Sequence, residues 1–309
     1  MTPSDPPPTP HLGPDGIAQA AQVLMDGGLV AFPTETVYGL GANADNPDAV
    51  AKIFAAKGRP AGRPLTLHLG PSVAPERWGF IDSRARACAV RFWPGPLTLV
   101  VPRRAEAVDD IVTGGLDTVG IRVPNHPVAI ALLDAFGGAV AAPSANRTGG
   151  LSPTSASHVH EDLGPRVDLV LDGGACPVGI ESTVLSLAGD TPVILRLGAI
   201  PRSALEDLLG RVDVRGQTAP HYRPNTPLRL GPPPDDGDVG VVSFRDRPRG
   251  FSGTWLRGPS DPLSYGRELY GMLRTLDAAD HGLIVVEPVP DDPAWESVAS
   301  RLADASNTG

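Results

Sequence analysis

Lysine is nearly missing from this 309-residue chain: only Lys52 and Lys57 occur, and arginine supplies every other Lys/Arg cation. Cysteine is equally scarce. Cys88 and Cys176 stand far apart without Cys-x-x-Cys spacing, which excludes a disulfide framework or a zinc knuckle and fits a reducing cytoplasm. No apolar run approaches the roughly 20 residues needed to cross a bilayer, so no membrane role is expected. Residues 1–14 are proline-rich, lack a basic-then-apolar leader pattern and read as a disordered tail. Excess positive charge is absent too. A formal net charge of −9 excludes a nonspecific nucleic-acid coat, leaving room only for a weak, local RNA contact.

What is present is enough to build real cores: 41% of the residues are hydrophobic, in a length that suits one large or two ordinary domains. Helical periodicity marks 17–25, 49–57, 82–92, 126–136, 155–162 and 201–210. Short apolar runs at 29–32, 65–69, 97–101, 118–123, 139–142, 168–171, 183–187 and 192–195 read as strands. Hairpin-like and crossover-like spacings occur together, which predicts an α/β fold with a twisted mixed β-sheet flanked by helices. Texture changes after Gly210. A linker is placed at 211–227, and beyond it strands at 239–244 and 283–286 with helices at 262–278 and 294–305 predict a small α/β unit over 228–309.

Four polar segments follow or precede these strands. The first, Pro33-Thr34-Glu35-Thr36-Val37-Tyr38-Gly39-Leu40-Gly41, combines hydroxyls, a carboxylate and glycines that permit close backbone approach to a ligand. With Ala44 it matches Gly-x-Gly-x-x-Ala, but Asn43, Asp45 and Pro47 follow instead of a helix opening at the glycines, so the dinucleotide reading is set aside. The second segment runs from Lys57 to Pro64 and places Lys57, Arg59 and Arg63 between a helix end and a strand, with His68 further on. Exposed cations on such a stiffened loop suit a polyphosphate, Lys as a point charge and Arg as a fork. The plain alternative is a solvated basic loop, with Lys57 complementing the negative end of its helix. The third, Ala142-Pro143-Ser144-Ala145-Asn146, presents hydroxyl and amide groups that either bind a ligand or satisfy their own turn. The fourth is Gly179-Ile180-Glu181-Ser182-Thr183-Val184. Arg122 and Arg196 lie in apolar strand runs, where an arginine requires an anionic partner from the protein or from a substrate. His158-Val159-His160-Glu161 offers metal-ligand residue types, yet alternate residues of a helix point apart. Walker A, Gly-x-Ser-x-Gly and His-Glu-x-x-His patterns are all missing.

Taken in order, these segments resemble the YrdC-like threonylcarbamoyl-AMP synthases in their two-domain form. The resemblance also rests on Phe92-Trp93-Pro94-Gly95-Pro96-Leu97-Thr98, Arg122-Val123-Pro124-Asn125-His126-Pro127 and the linker segment His221-Tyr222-Arg223-Pro224, with weaker echoes at 273–277 and Arg301-Leu302. It implies a YrdC-like catalytic domain at 15–210, a lid-like linker, and a small Rossmann-like C-terminal domain. It further implies synthesis of threonylcarbamoyl-AMP and pyrophosphate from L-threonine, bicarbonate and ATP, with magnesium carried mainly on the ATP phosphates and no protein metal site. The product would pass to a threonylcarbamoyl transferase acting on tRNA. By resemblance Lys57, Arg59, Ser144 and Asn146 serve the reaction centre, while Arg63, Thr118, Ser152, Arg196 and Tyr222 complete the ATP site. Thr34, Thr36, His68, Arg122, Ala142 and Ser182 would hold threonine, Arg122 pairing its carboxylate. A non-catalytic RNA-binding YrdC-like module is the alternative. The chain departs from the family pattern at Arg63, where Asn is usual, at Leu197, where Pro is usual, and in a shortened C-terminal domain with Trp295 in place of a Gly-rich stretch.

Overall fold

The computed structural model describes residues 11–215 and 222–306; positions 1–10 of the tail, 216–221 of the linker including His221, and 307–309 lie outside the described residues. Among the described residues, eleven short strands build one mixed sheet. In chain order they are β1 (His11–Leu12), β2 (Val30–Phe32), β3 (Gly39–Asn43), β4 (Thr66–His68), β5 (Leu97–Pro102), β6 (Thr118–Arg122), β7 (Val140–Ala141), β8 (Leu169–Leu171), β9 (Thr183–Ser186), β10 (Val193–Arg196) and β11 (Asp213–Val214). Their spatial order is β1-β8-β2-β3-β7-β4-β6-β5-β9-β10-β11. Antiparallel pairs such as β5 with β6 alternate with parallel ones such as β4 with β6, which is the mixed topology the spacings predict.

Among the described residues, seven α-helices dress this sheet: α1 (Ile17–Met25), α2 (Pro47–Lys57), α3 (Ser83–Phe92), α4 (Asp110–Thr113), α5 (Pro127–Phe136), α6 (Ala156–Leu163) and α7 (Arg202–Leu209). Among them α2 bears most directly on the polar segments. The Asn46 side chain caps its start by accepting from the Ala49 N–H, Pro47 fits the first turn, and Gly58 ends it in the left-handed region at φ 59°. Lys57 is therefore fixed as the last helical residue. Because the chain turns back at Gly58, the lysine side chain is buried instead of exposed on the loop, a correction to the solvated-cation expectation.

Three further expectations are corrected. His11–Leu12, assigned to a disordered tail, add a strand parallel to β8. Gly39–Asn43, absent from the expected strands, form a strand whose glycines lie against Phe32 and Ala142. Asp213–Val214, assigned to the linker, extend the first sheet beside β10.

The second unit is a four-stranded parallel sheet of β12 (Leu228–Leu230), β13 (Gly240–Ser243), β14 (Thr254–Arg257) and β15 (Ile284–Val286), ordered β12-β15-β13-β14 and covered by α8 (Pro262–Asp277) and α9 (Glu296–Ser306). Trp295 packs edge-on to Phe244 and Tyr265 within its core. That core does not stop at the linker. Val37, Leu151, Ile180 and Tyr222 join the same buried cluster as Leu269, Leu273 and Leu302, so residues of the first unit complete the hydrophobic interior of the second.

Candidate functional site

Within the first unit, bordered by Tyr222 of the linker, a cavity of about 610 Å³ opens, walled by residues from all four polar segments. Thr34, Thr36, Lys57, Arg59, Arg63, His68, Arg122, Ala142, Ser144, Asn146, Ser182, Arg196 and Tyr222 all line it. Thr118 and Ser152 do not. Thr118 opens β6 at the end opposite Arg122, and Ser152 is fully buried behind the wall, donating to Glu181 Oε1 at 2.6 Å.

One side of the cavity is built on the end of α2. Lys57 Nζ donates to the Ser144 carbonyl at 2.6 Å and to the Asn146 carbonyl, while the Thr148 N–H donates to the Lys57 carbonyl. Helix end and loop are thus tied together. Burial, reinforced by neighbouring Arg59 and only partly opposed by Asp162, pushes the Lys57 ammonium down to about 7. Burial and Arg63 likewise lower Arg59 to about 10, and its buried Nε has no hydrogen-bond partner among the described residues. Ser144 Oγ donates to Asn146 Oδ1, whose amide in turn donates to the Arg147 and Gly150 carbonyls. The side chains thus satisfy their own turn and also face the cavity.

The opposite side is carried by β4, β6 and the segment before β9. Arg122 Nη2 lies 2.8 Å from Glu35 Oε1 in a buried ion pair, its Nε donates to the Gly95 carbonyl, and Glu35 Oε2 accepts from the Asn125 N–H. The paired Nη2 and Oε1 are misaligned for a hydrogen bond, so Arg122 Nη2 keeps unused bonding capacity beside the cavity it lines. Arg122 has an internal carboxylate and still lines the cavity. His68 packs edge-on to Phe32, and burial, assisted by Arg122, lowers it to about 3. It stays a neutral imidazole. Thr34 and Thr36 hydroxyls pair at 2.8 Å, and Ser182 Oγ pairs with Thr98 Oγ1 at 2.8 Å. Arg196 grips Ser182 through both its carbonyl and its hydroxyl.

Sequence reasoning missed Arg215, which lines the rim beyond β11 in a stretch without periodicity, and Glu181, quoted in a motif but given no role. Among the described residues lining the cavity Glu181 is the one carboxylate, set among Lys57, Arg59, Arg63, Arg122, Arg196 and Arg215. Its own charge is matched by Arg301 in a buried ion pair. Among the described residues no group of three or more His, Cys, Asp or Glu is arranged to hold a metal ion, and His158, His160 and Glu161 lie along α6.

Fold and cavity define the class: a mixed-sheet α/β protein with a strongly cationic pocket in its first domain, bordered by Tyr222 of the linker that leads to a second domain. Comparison with known proteins makes this specific. A family model described as "Telomere recombination", covering Sua5, YciO and YrdC, matches residues 22–198, and one described as "Threonylcarbamoyl-AMP synthase, C-terminal domain" matches residues 200–307. A threonylcarbamoyl-AMP synthase from Bacillus subtilis is 39% identical, spanning 94% of this chain and 92% of its own. Another from Pyrococcus abyssi is 37% identical over 93% of each chain. The crystal structure of P. abyssi Sua5 complexed with L-threonine superposes with a TM-score of 0.89 at 34% identity, covering 96% of this chain and 97% of that one. The chain belongs to the threonylcarbamoyl-AMP synthase family, in the form with a C-terminal domain.

Proposed function

We propose that this protein is an L-threonylcarbamoyladenylate synthase, a nucleotidyltransferase that joins L-threonine, bicarbonate and magnesium-bound ATP into threonylcarbamoyl-AMP and pyrophosphate, in the cytoplasm, for a transferase that acts on tRNA. The observation that carries this reading is the cavity's lining, which brings six cations, Lys57, Arg59, Arg63, Arg122, Arg196 and Arg215, together with the polar groups of Thr36, His68 and Ser182: charges suited to a triphosphate beside groups suited to a small amino acid. Relatives of known activity favour the synthase over the RNA-binding module.

The chemistry follows from charge. Threonine's amine and bicarbonate condense to a carbamate with loss of water. A carbamate oxygen then attacks the α-phosphorus, and pyrophosphate leaves. Two anions must approach each other, so fixed cations and the magnesium that accompanies ATP as substrate offset the repulsion. Arg122, held in place by Glu35 and the Gly95 carbonyl, is preorganised to pair the threonine carboxylate. Neutral His68 adds a polar contact without adding charge there. Lys57 and Arg59 face the phosphates, and the hydroxyls of Ser144 and Ser182 add short-range polar contacts. Tyr222 covers the cavity at its linker side, which favours exclusion of water from a labile mixed anhydride.

The test is direct: purified protein with ATP, magnesium and bicarbonate, with or without L-threonine, read by pyrophosphate release and mass detection of threonylcarbamoyl-AMP. Threonine-dependent product is expected. Pyrophosphate release that ignores threonine would overturn the reading, and tRNA binding with a steep salt dependence but no affinity for ATP would favour the RNA module.

A further inference from the structure

Behind the cavity wall lies a buried polar cluster contributed jointly by both domains. Glu181 sits at its centre. Ser152 Oγ donates to Oε1 at 2.6 Å, the Tyr270 hydroxyl of α8 lies 2.9 Å and 3.0 Å from the two carboxylate oxygens, and Arg301 Nε of α9 donates to Oε2 at 2.5 Å. Arg301 is 1% exposed and does not line the cavity. Its Nη2 donates to the Leu197 carbonyl at 2.5 Å, beside Arg196. Its guanidinium also stacks 4.8 Å from the ring centroid of Tyr222, the linker residue that closes the cavity and whose backbone stands at φ 63°. A tyrosine holds that left-handed conformation only where its surroundings fix it.

One C-terminal side chain thus fastens three cavity elements at once: the Glu181-Ser182 wall, the Arg196-Leu197 strand end and the Tyr222 ring. A full positive charge 0% exposed in its side chain is tolerated because Glu181 neutralises it and the Tyr222 face receives it. Mere domain adhesion does not require a contact to the ring that covers the site.

We propose that Arg301 is a positioning residue for the nucleotide site, acting through Tyr222 and the Glu181-Ser182 wall, so that the C-terminal domain completes the active site. This rests on the assignment of the cavity's cationic lining to ATP. Arg301 touches no reacting atom. Its planar fork sets the Tyr222 ring and holds Ser182 within reach of Arg196, an arrangement that an ammonium cannot reproduce because it neither stacks flat nor reaches Glu181 and Leu197 together.

The test uses the full chain with Arg301→Lys, which keeps a charge beside Glu181, together with Tyr222→Ala and the double variant. Circular dichroism and thermal melting confirm folding, and a neutral pair, Arg301→Met with Glu181→Gln, stands in should Arg301→Lys not fold. ATP affinity is read by calorimetry without turnover, and KM for ATP and threonine by product formation. Expected are ATP binding weakened about tenfold in Arg301→Lys, a smaller change in threonine KM, and a double variant no weaker in ATP binding than Tyr222→Ala alone. Independent, multiplying effects of the two substitutions, or unchanged ATP affinity in folded Arg301→Lys, would overturn the proposal. A wild type that binds ATP but makes no product would sink the synthase reading while the coupling remains readable from affinities; a wild type that binds no ATP would overturn both.

Discussion

Lys57 combines burial, two carbonyl acceptors and a proton affinity lowered to about 7, so near neutral pH a large part of the population is the uncharged amine. A triphosphate beside it favours the ammonium and should draw a proton from solvent on binding. Calorimetry of ATP binding at pH 8 in buffers of different ionisation enthalpy should therefore show net proton uptake, and Lys57→Met should abolish it. Binding heat that is the same in every buffer would refute the assignment. Arg122 supplies the complementary experiment. Its replacement by alanine should raise the threonine KM by about tenfold or more with a smaller change for ATP, because a charged hydrogen bond to the substrate carboxylate is lost. Glu35→Gln in the same chain removes the buried carboxylate that would otherwise stay unpaired. An equal rise for both substrates would mark Arg122 as structural. His68 predicts an absence: held at about 3 by burial and Arg122, it contributes no titration to threonine binding between pH 5.5 and 8.

At the scale of elements, the close approach of chains decides which residues are allowed. Gly179 stands at φ 77°, and a Cβ there would collide with the Arg267 backbone on α8. Gly179→Ala should cost roughly 1–3 kcal/mol from overpacking and backbone strain, visible as a lower urea midpoint, with a smaller effect on a chain cut back before α8. Elements with a strong period were legible from the sequence: α1, α2, α5 and α8 fall within a residue or two of their expected bounds, because an apolar face must meet the sheet or the domain core. Strand β3 was not legible. Its Gly-Leu-Gly-Ala-Asn carries a turn's composition, and only its pairing between β2 and β7 makes it a strand. Strands β1 and β11 have two residues each, too few for any period to show. Most expected site residues converged on the cavity since each motif abuts a strand end or helix end. Thr118 and Ser152 stand off it, Arg215 gave no local signal, and Arg301 was marked only as a weak echo of the family pattern, with no role. Arg301 and Glu181 are 120 positions apart, a pairing that no window of sequence reports.

For the molecule as a whole, the question is whether two domains behave as one. Besides Arg301 and Tyr270 on Glu181, Arg274 of α8 pairs with Asp162 at 2.6 Å and donates to the Leu151 carbonyl at 2.7 Å, while the Asn225 and Thr226 N–H groups donate to Asp277 at the end of α8. The apolar cluster shared by Val37, Ile180, Tyr222 and Leu269 lies between these polar ties. A small α/β unit of this length is only marginally stable by itself, so the interface should make unfolding a single calorimetric transition. The Glu181 carboxyl sets its acid limit. Burial alone would raise its proton affinity, but Arg301, Arg196 and the hydrogen bonds from Ser152 and Arg301 outweigh burial and hold it below the usual glutamate range. A carboxylate whose folded value is depressed contributes stability above its unfolded value of about 4.3, and that contribution is lost as pH falls towards the folded one. Protonation of Glu181 would leave Arg301 as an uncompensated buried charge. The single transition expected at pH 7 should therefore split into two on acidification below about pH 4, the C-terminal unit melting first. In Glu181→Gln with Arg301→Met, where no charge remains to lose, the two domains should stay coupled over the same range. A wild-type transition that stays single down to the acid at which the first domain itself unfolds would show that the apolar seam, and not the buried ion pair, joins the two halves.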